Sequence, residues 1–212
     1  MKKIFILILF MLLLTGCKSV NKMNIDQIKN NSLNGKAAHP NTIRVGYKYY
    51  KPGLMSIVRS ENYNEIIMNN DTYYYLYVDL VSYYNKTNSD YEENDISYYS
   101  KKIEHKKKKG YIEINEIKDN QYLIEIMYNY AKIEVMVNKA NIKTALAYSL
   151  SILTSIKYND KVIESTMGKN VLSVHEESVN IFKTVTSERN TLKYVEDSKY
   201  DKDVLPDMDL VN

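Results

Sequence analysis

Hydrophobic and polar residues alternate along much of the middle of the chain, and this period of two indicates β-strands. The clearest run covers residues 72–84. One set of alternate residues is mostly aliphatic and predicts the side of a strand that faces a core. This set is Tyr74, Leu76, Val78 and Leu80. The opposite set is Tyr73, Tyr75, Tyr77, Asp79, Val81 and Tyr83, and its phenols and carboxylate predict a face that is half open to water.

Shorter runs predict further strands on both sides of this one. Upstream runs at residues 43–49 and 55–58 flank a turn, Lys51-Pro52-Gly53. Downstream runs at residues 111–117 and 122–128 flank Lys118-Asp119-Asn120-Gln121, which predicts a hairpin, and residues 132–137 predict one more strand.

Apolar residues spaced by three and four predict helices elsewhere. The strongest begins after Asn138, which is suited to cap it, and we expect it to cover Leu76 and Val78. Its inward stripe is Ile142, Ala145, Leu146, Ser149, Leu150 and Leu153. A second helix is expected around Ile96, Tyr99 and Ile103, with the lysine run 106–109 and Gly110 at its end. Residues 171–174 predict a strand and residues 176–187 a last helix.

Strands followed by helices predict an α+β domain, an antiparallel β-sheet packed against helices. The order of elements resembles the PsbP-like fold: an opening hairpin through the proline-glycine turn, a strand meander, and a helix leading into residues 152–160. The resemblance covers roughly residues 42–160. It implies a layered sandwich and an accessory or binding role, and it implies no site residues.

The N-terminus has the layout of a secretory signal. Lys2 and Lys3 precede an unbroken apolar run at residues 4–14, and small residues follow. As a helix, this run would reach only about 16 Å, against a hydrocarbon core of roughly 30 Å. It is therefore too short for a permanent membrane span.

The residues that follow are Leu14-Thr15-Gly16-Cys17, which resemble the lipobox of bacterial lipoproteins at all four positions. The resemblance implies a signal peptide at residues 1–16, a diacylglyceryl group on Cys17 and attachment to the bilayer on the extracytoplasmic face of the cell membrane. The alternative is an ordinary signal peptide with an incidental cysteine. Cys17 is the one cysteine of the chain, and acylation accounts for it.

This N-terminus divides the remaining chain into three parts. Residues 17–41 are polar and are predicted to form a flexible tether. Residues 42–168 are the predicted globular domain. Residues 169–212 form an extension with a helix and an acidic tail.

Charge says little about partners. The formal net charge is +3 over 212 residues, and removal of Lys2 and Lys3 with the signal leaves +1. Nucleic acid is therefore not an expected partner.

No motif of catalysis, metal binding or cofactor binding is present. His39, His105 and His175 are far apart in sequence, and residues 90–101 lack the glycine and final glutamate of a calcium loop. There is no G-x-S-x-G motif and no glycine-rich phosphate loop. We therefore expect a protein that is not an enzyme and needs no cofactor or metal. The alternative is an extracytoplasmic hydrolase with a carboxylate pair from distant positions, such as Asp79 and Glu125.

Two features fit a binding role as well as a structural one. Tyr73, Tyr75 and Tyr77 could form a ligand-binding face for an envelope protein or a glycan, because tyrosine combines a large apolar ring with a polar tip. They could equally be ordinary strand residues, since the 21 tyrosines are spread along the chain. The lysine run 106–109 could attract anionic lipid or wall polymers, or it could be a solvated helix end.

Overall fold

The computed structural model describes residues 20–167 except for 62, 88 and 89, together with the backbone of 184–186 and 192–194. Four α-helices lie in this part of the chain: α1 Ile25–Asn34, α2 Leu80–Asn85, α3 Ile142–Ser155 and α4 Asp160–Met167. The strands are β1 Thr42–Arg44, β2 Tyr47–Tyr49, β3 Ser56–Glu61, β4 Asn64–Asn69, β5 Thr72–Val78, β6 Tyr99–His105, β7 Lys108–Lys118, β8 Gln121–Tyr128, β9 Ala131–Asn138, β10 Lys157–Tyr158, β11 Thr184–Thr186 and β12 Leu192–Tyr194. None of the helices in the described residues has the length and apolar character needed to cross a membrane.

The strands form one large sheet and two small ones. The large sheet has seven antiparallel strands in the order β3-β4-β5-β9-β8-β7-β6. The first small sheet has the order β1-β2-β10, and the second pairs β11 with β12. The predicted α+β class, an antiparallel sheet with helices, is confirmed.

One face of the large sheet forms the core. Leu76 of β5 pairs with Ile133 of β9, which pairs with Ile126 of β8, and all three side chains are buried. Helix α3 packs over β8 and β9 on this face. Its predicted inward stripe is confirmed: Ile142, Ala145, Leu146, Ser149, Leu150 and Leu153 are all buried. The side chain of Asn138 makes no capping hydrogen bond, and a 3₁₀ turn at Lys139–Asn141 precedes the helix.

The predicted tether is wrong for residues 25–34, which form α1. Asn24 accepts a hydrogen bond from the backbone of Gln27, and the Gln27 side chain accepts one from the backbone of Asn24, which closes a capping box. Ile28 is only 3% exposed, and α1 packs against α3. With a single buried isoleucine, this segment shows almost no helical period of apolar residues in the sequence. Its packing against α3 is what stabilises it as a helix.

The predicted strand over residues 72–84 ends at Val78. The carboxylate of Asp79 accepts a hydrogen bond of 2.7 Å from the backbone of Ser82 and caps α2. Tyr74, Leu76 and Val78 are buried as expected. Leu80 is also buried, but it lies in α2 and not in the strand. The alternation of the two strand faces therefore ends at Val78.

The predicted helix around Tyr99 and Ile103 is also wrong, because these residues lie in β6. The chain then turns through Lys106 and Lys107, whose φ angles are 48° and 67°. β6 pairs with β7, and Ile103 lies in the core. The spacing of Ile96, Tyr99 and Ile103 is compatible with a helix as well as with a strand. Pairing with β7 makes this segment a strand.

The start of the domain differs from the PsbP-like expectation. Gly46, at φ 85°, divides the first predicted strand into β1 and β2. A Cβ at Gly46 would also lie only 2.9 Å from Cδ1 of Leu80. The turn therefore needs glycine, both for its positive φ angle and for the space that a side chain would occupy. β2 and β3 belong to different sheets, so no hairpin forms through Lys51-Pro52-Gly53. The predicted β7–β8 hairpin is confirmed, with Asn120 at φ 60°.

Several predictions concern the remaining residues. The signal peptide, Cys17, His175, the strand at 171–174 and the acidic tail lie outside the described residues. The last predicted helix is wrong at residues 184–186, which form β11.

Candidate functional site

The three tyrosines singled out in the sequence lie on the face of the large sheet opposite α3. We call this the polar face. Tyr73 is 37% exposed, Tyr75 is half-buried and Tyr77 is 8% exposed. Protection therefore increases from Tyr73 to Tyr77, although β5 ends at Val78 and Tyr75, not Tyr77, lies at its centre. Tyr73 and Tyr75 remain within reach of a ligand.

Three glutamates lie beside Tyr75 in one row across the sheet. Tyr75 pairs with Glu134 of β9, Glu134 with Glu125 of β8, and Glu125 with Glu113 of β7. Directly opposed residues share a face, with Cβ atoms about 4.5–5.5 Å apart, and like charges in such positions repel. We call Glu113, Glu125 and Glu134 the acidic row. Its charges require compensation within the fold or from a ligand.

Glu134 is compensated by a lysine on the same strand. Nζ of Lys132 lies 2.7 Å from Oε1 of Glu134, with side-chain exposures of 7% and 1%. Residues two apart on a strand share a face, so the ion pair runs along β9. A buried charge is tolerated when it is paired in this way.

Glu113 is compensated by hydrogen bonds from the loop before β6. Its carboxylate accepts bonds from Tyr91 at 2.9 Å, Ser97 at 2.9 Å and Asn94 at 3.3 Å, and from Asn115 at 3.1 Å. Burial acts to raise the pKa of Glu113, but these hydrogen bonds outweigh it and lower the pKa below the ordinary value. Glu113 is therefore held as a carboxylate.

Glu125, in the middle of the row, has one donor from the described side chains. The hydroxyl of Tyr111 donates to its Oε1. The ring of Tyr111 stacks on Tyr91 with centroids 4.0 Å apart and planes 3° apart. Burial and the charge of Glu125 raise the pKa of Tyr111 well above its ordinary value, so this hydroxyl keeps its proton.

The acidic row has acceptor atoms that a ligand could use. Glu125 is half-buried between Glu113 and Glu134, and Tyr75 lies one strand beyond Glu134. The carboxylate of Glu125 offers acceptors to a ligand with ammonium or hydroxyl groups. The described residues contain no group of three or more His, Cys, Asp or Glu side chains that could hold a metal ion. Nε2 of His105 is buried without a hydrogen-bond partner, but it lies in β6 next to the β6–β7 turn and away from this row.

The proposed pair of Asp79 and Glu125 is not formed. Asp79 follows Val78, which pairs with Ala131, whereas Glu125 pairs with Glu134. Two strand spacings and about four residues therefore separate Asp79 from Glu125, about 17 Å along the sheet. The acids that do meet Glu125 are Glu113 and Glu134. Their adjacency depends on strand register, which the sequence pattern does not carry.

The core side holds a second polar cluster, which the sequence pattern does not predict. Glu65 of β4 is 2% exposed and accepts hydrogen bonds from the hydroxyls of Tyr47 at 3.1 Å and Tyr49 at 2.8 Å. Arg44 Nη2 lies 2.7 Å from Glu65 Oε2. The three donors come from β1 and β2, so this cluster joins the small sheet to the large one. One feature of the sequence hints at this cluster: Glu65 directly precedes three apolar residues, Ile66, Ile67 and Met68.

Comparison with known proteins adds no relative: no protein-family model matches the chain, and no curated protein matches its sequence.

Proposed function

We propose that this protein is a lipid-anchored binding module on the outer face of a bacterial cytoplasmic membrane, without catalytic activity of its own. The observation that carries the proposal is the placement of the one cysteine in Leu14-Thr15-Gly16-Cys17, directly after a short apolar run. Acylation makes Cys17 an anchor, and two or more acyl chains hold a protein on a bilayer stably.

The anchor is tested by metabolic labelling with radioactive palmitate in a bacterial host. The wild-type protein is expected to incorporate label, and Cys17→Ala is expected to lose all of it and to leave the membrane fraction. A Tyr84→Ser variant, altered at an exposed position of α2, serves as the control and keeps the label. Label that persists in Cys17→Ala would contradict the proposal.

The ligand surface is proposed to be the polar face, with Tyr73 and Tyr75 as the contact side chains and Glu125 as the acceptor. Tyrosine rings lose little conformational freedom on binding, and carboxylates pair with ammonium and hydroxyl groups. Such groups occur on envelope glycans and on basic protein segments, which are the proposed partner classes.

Binding is tested by sedimentation with purified cell-wall glycan. The double variant Tyr73→Ser/Tyr75→Ser is expected to lose at least tenfold in retention with a melting temperature unchanged within a few degrees. Tyr84→Ser is the control, because it removes an exposed tyrosine from α2, a helix that packs against α4. Equal retention of both variants would assign the glycan contact to another surface.

The acidic row also keeps a hydrolase as the second candidate function. Hydrolases of glycosidic bonds use two carboxyl groups about 5–9.5 Å apart, and glutamates whose Cβ atoms lie about 4.5–5.5 Å apart can hold their carboxyl groups at such a distance. Release of soluble fragments from the same glycan, abolished by Glu125→Gln, would favour this candidate. Binding without release favours the module.

A further inference from the structure

We propose that the end of the domain that carries Lys22, Lys139, Lys143 and Tyr98 lies directly on an anionic lipid surface. We call this end the anchor face. The inference rests on the proposed acylation of Cys17. It adds an orientation: the domain is held against the bilayer on one particular side and does not swing on a tether.

The first step is the length of chain between the anchor and the domain. Two residues, Lys18 and Ser19, separate Cys17 from the 3₁₀ turn Val20–Lys22. Three residue spacings reach at most about 11 Å even when fully extended. An acylated Cys17 at the lipid headgroups would therefore keep this turn within about one Debye length of the membrane.

The second step is the attachment of this turn to the rest of the domain. The turn Val20–Lys22 contacts α3, and Nζ of Lys143 donates a hydrogen bond of 3.1 Å to the backbone carbonyl of Asn21. α1 follows at once and packs against α3. The body of the domain therefore follows the anchor.

The third step is the chemistry of the surface that this attachment brings to the lipid. Lys22 and Lys139 are exposed and Lys143 is half-buried, and none of the three forms an ion pair with a described carboxylate. Asp26, the acid nearest in sequence to Lys22, is paired with Lys29 at 2.7 Å. Glu116 meets the hydroxyl of Tyr122 together with Lys139 and offsets part of the Lys139 charge. A lysine close to an anionic bilayer attracts it and strengthens binding up to about fivefold.

An exposed aromatic ring lies at the same end. Nζ of Lys139 lies 5.7 Å from the ring centroid of Tyr98, which is 49% exposed and immediately precedes β6. Tyrosine favours the headgroup region, because its ring is apolar and its hydroxyl is polar. Lysines and a tyrosine around a lipid anchor match an interface of anionic headgroups.

The lysine run 106–109 lies at the other end of the sheet. β7 runs from Lys108 to Lys118, about 33 Å, and Lys118 pairs with Gln121, which pairs with Asn138 next to Lys139. This separation is several Debye lengths at physiological ionic strength. The run therefore contributes no attraction to a bilayer beneath the anchor face. It provides a control of equal charge.

The test uses the acylated full-length product purified from host membranes and reconstituted in two kinds of vesicle. One contains phosphatidylglycerol and phosphatidylcholine, and the other phosphatidylcholine alone. Lysines are modified with a water-soluble acetylating reagent and quantified by mass spectrometry. Lys22, Lys139 and Lys143 are expected to react at least threefold more slowly in the anionic vesicles, whereas Lys106, Lys107 and Lys109 react equally in both.

Two variants with the same charge change sharpen the result. Lys22→Glu/Lys143→Glu is expected to abolish the effect of phosphatidylglycerol on labelling of Lys139, whereas Lys106→Glu/Lys107→Glu leaves it intact. Circular dichroism checks that both variants fold. Equal labelling of the two lysine sets in an acylated protein overturns the inference and leaves the proposed function standing. A purified protein whose mass lacks the acyl chains overturns both.

Discussion

The buried carboxylate of Glu65 offers the sharpest test of how the two sheets are held together. Glu65→Gln keeps the size of the side chain but removes its charge. The amide oxygen can accept at most two of the three hydrogen bonds that Arg44, Tyr47 and Tyr49 now donate. The new NH₂ group can donate to a tyrosine hydroxyl, but the proton of that hydroxyl then loses the acceptor it has in the wild type.

The size of the effect follows from the burial of these groups. A hydrogen bond to a charged group contributes about 1.5–3 kcal/mol and one between neutral groups about 0.5–1.5 kcal/mol, so three bonds together lose about 3–4 kcal/mol. Arg44 is 28% exposed on its side chain, and water can recover part of its solvation. We therefore expect a loss of about 3 kcal/mol, a large share of the roughly 5–15 kcal/mol of a typical domain.

The assay is urea unfolding followed by circular dichroism, with Glu61→Gln as the matched control. Glu61 pairs with Arg59 at 2.8 Å on β3, but its side chain is 60% exposed, so its loss is expected to cost less than about 1 kcal/mol. In a double-mutant cycle, Arg44→Met and Glu65→Gln together should cost less than the sum of the two single changes. The reasoning is refuted if Glu65→Gln costs no more than Glu61→Gln at equal m-values.

Three further outcomes follow from the fold. Leu76→Ala is expected to cost about 2–5 kcal/mol, because Leu76 is 1% exposed in the centre of the core face; a harmless melt would mean that the faces of β5 are reversed. Tyr77→Ser should lower the melting temperature more than Tyr73→Ser, since Tyr77 is buried and Tyr73 is not; thermal melts that rank them in the opposite order would contradict the assigned exposure. Folding lowers the pKa of Glu113 from its unfolded value near 4.5. As the pH drops through this value toward the folded pKa, the unfolded chain binds more protons than the folded chain, and the free energy of unfolding therefore falls. Urea midpoints from pH 6 to pH 3 should therefore fall more steeply for the wild type than for Glu113→Gln, and parallel curves would show that Glu113 has no such role.

Local patterns predicted much of this fold. The strand that contains Leu76, the β7–β8 hairpin and the stripe of α3 each follow from spacings within one segment, because burial of one face imposes a period of two or of 3.6. The same reasoning failed at residues 99–103, whose apolar spacing fits both periods. It failed at residues 25–34, where one buried isoleucine and a capping box leave almost no period.

The candidate site depended on contacts that no single segment contains. The sequence pattern placed Tyr73, Tyr75 and Tyr77 on one face, because alternation along a strand is local. Register between strands brought Glu113, Glu125 and Glu134 together, and a slip of one residue would have sent each glutamate to the core side. The sequence by itself thus determined the class of the fold and the two faces of β5, and it carries the N-terminal pattern on which the proposed anchor rests. Only the tertiary structure decided which acids are neighbours and that the turn Val20–Lys22, which two residues separate from Cys17, packs on α3, because pairing and packing join residues far apart in the chain.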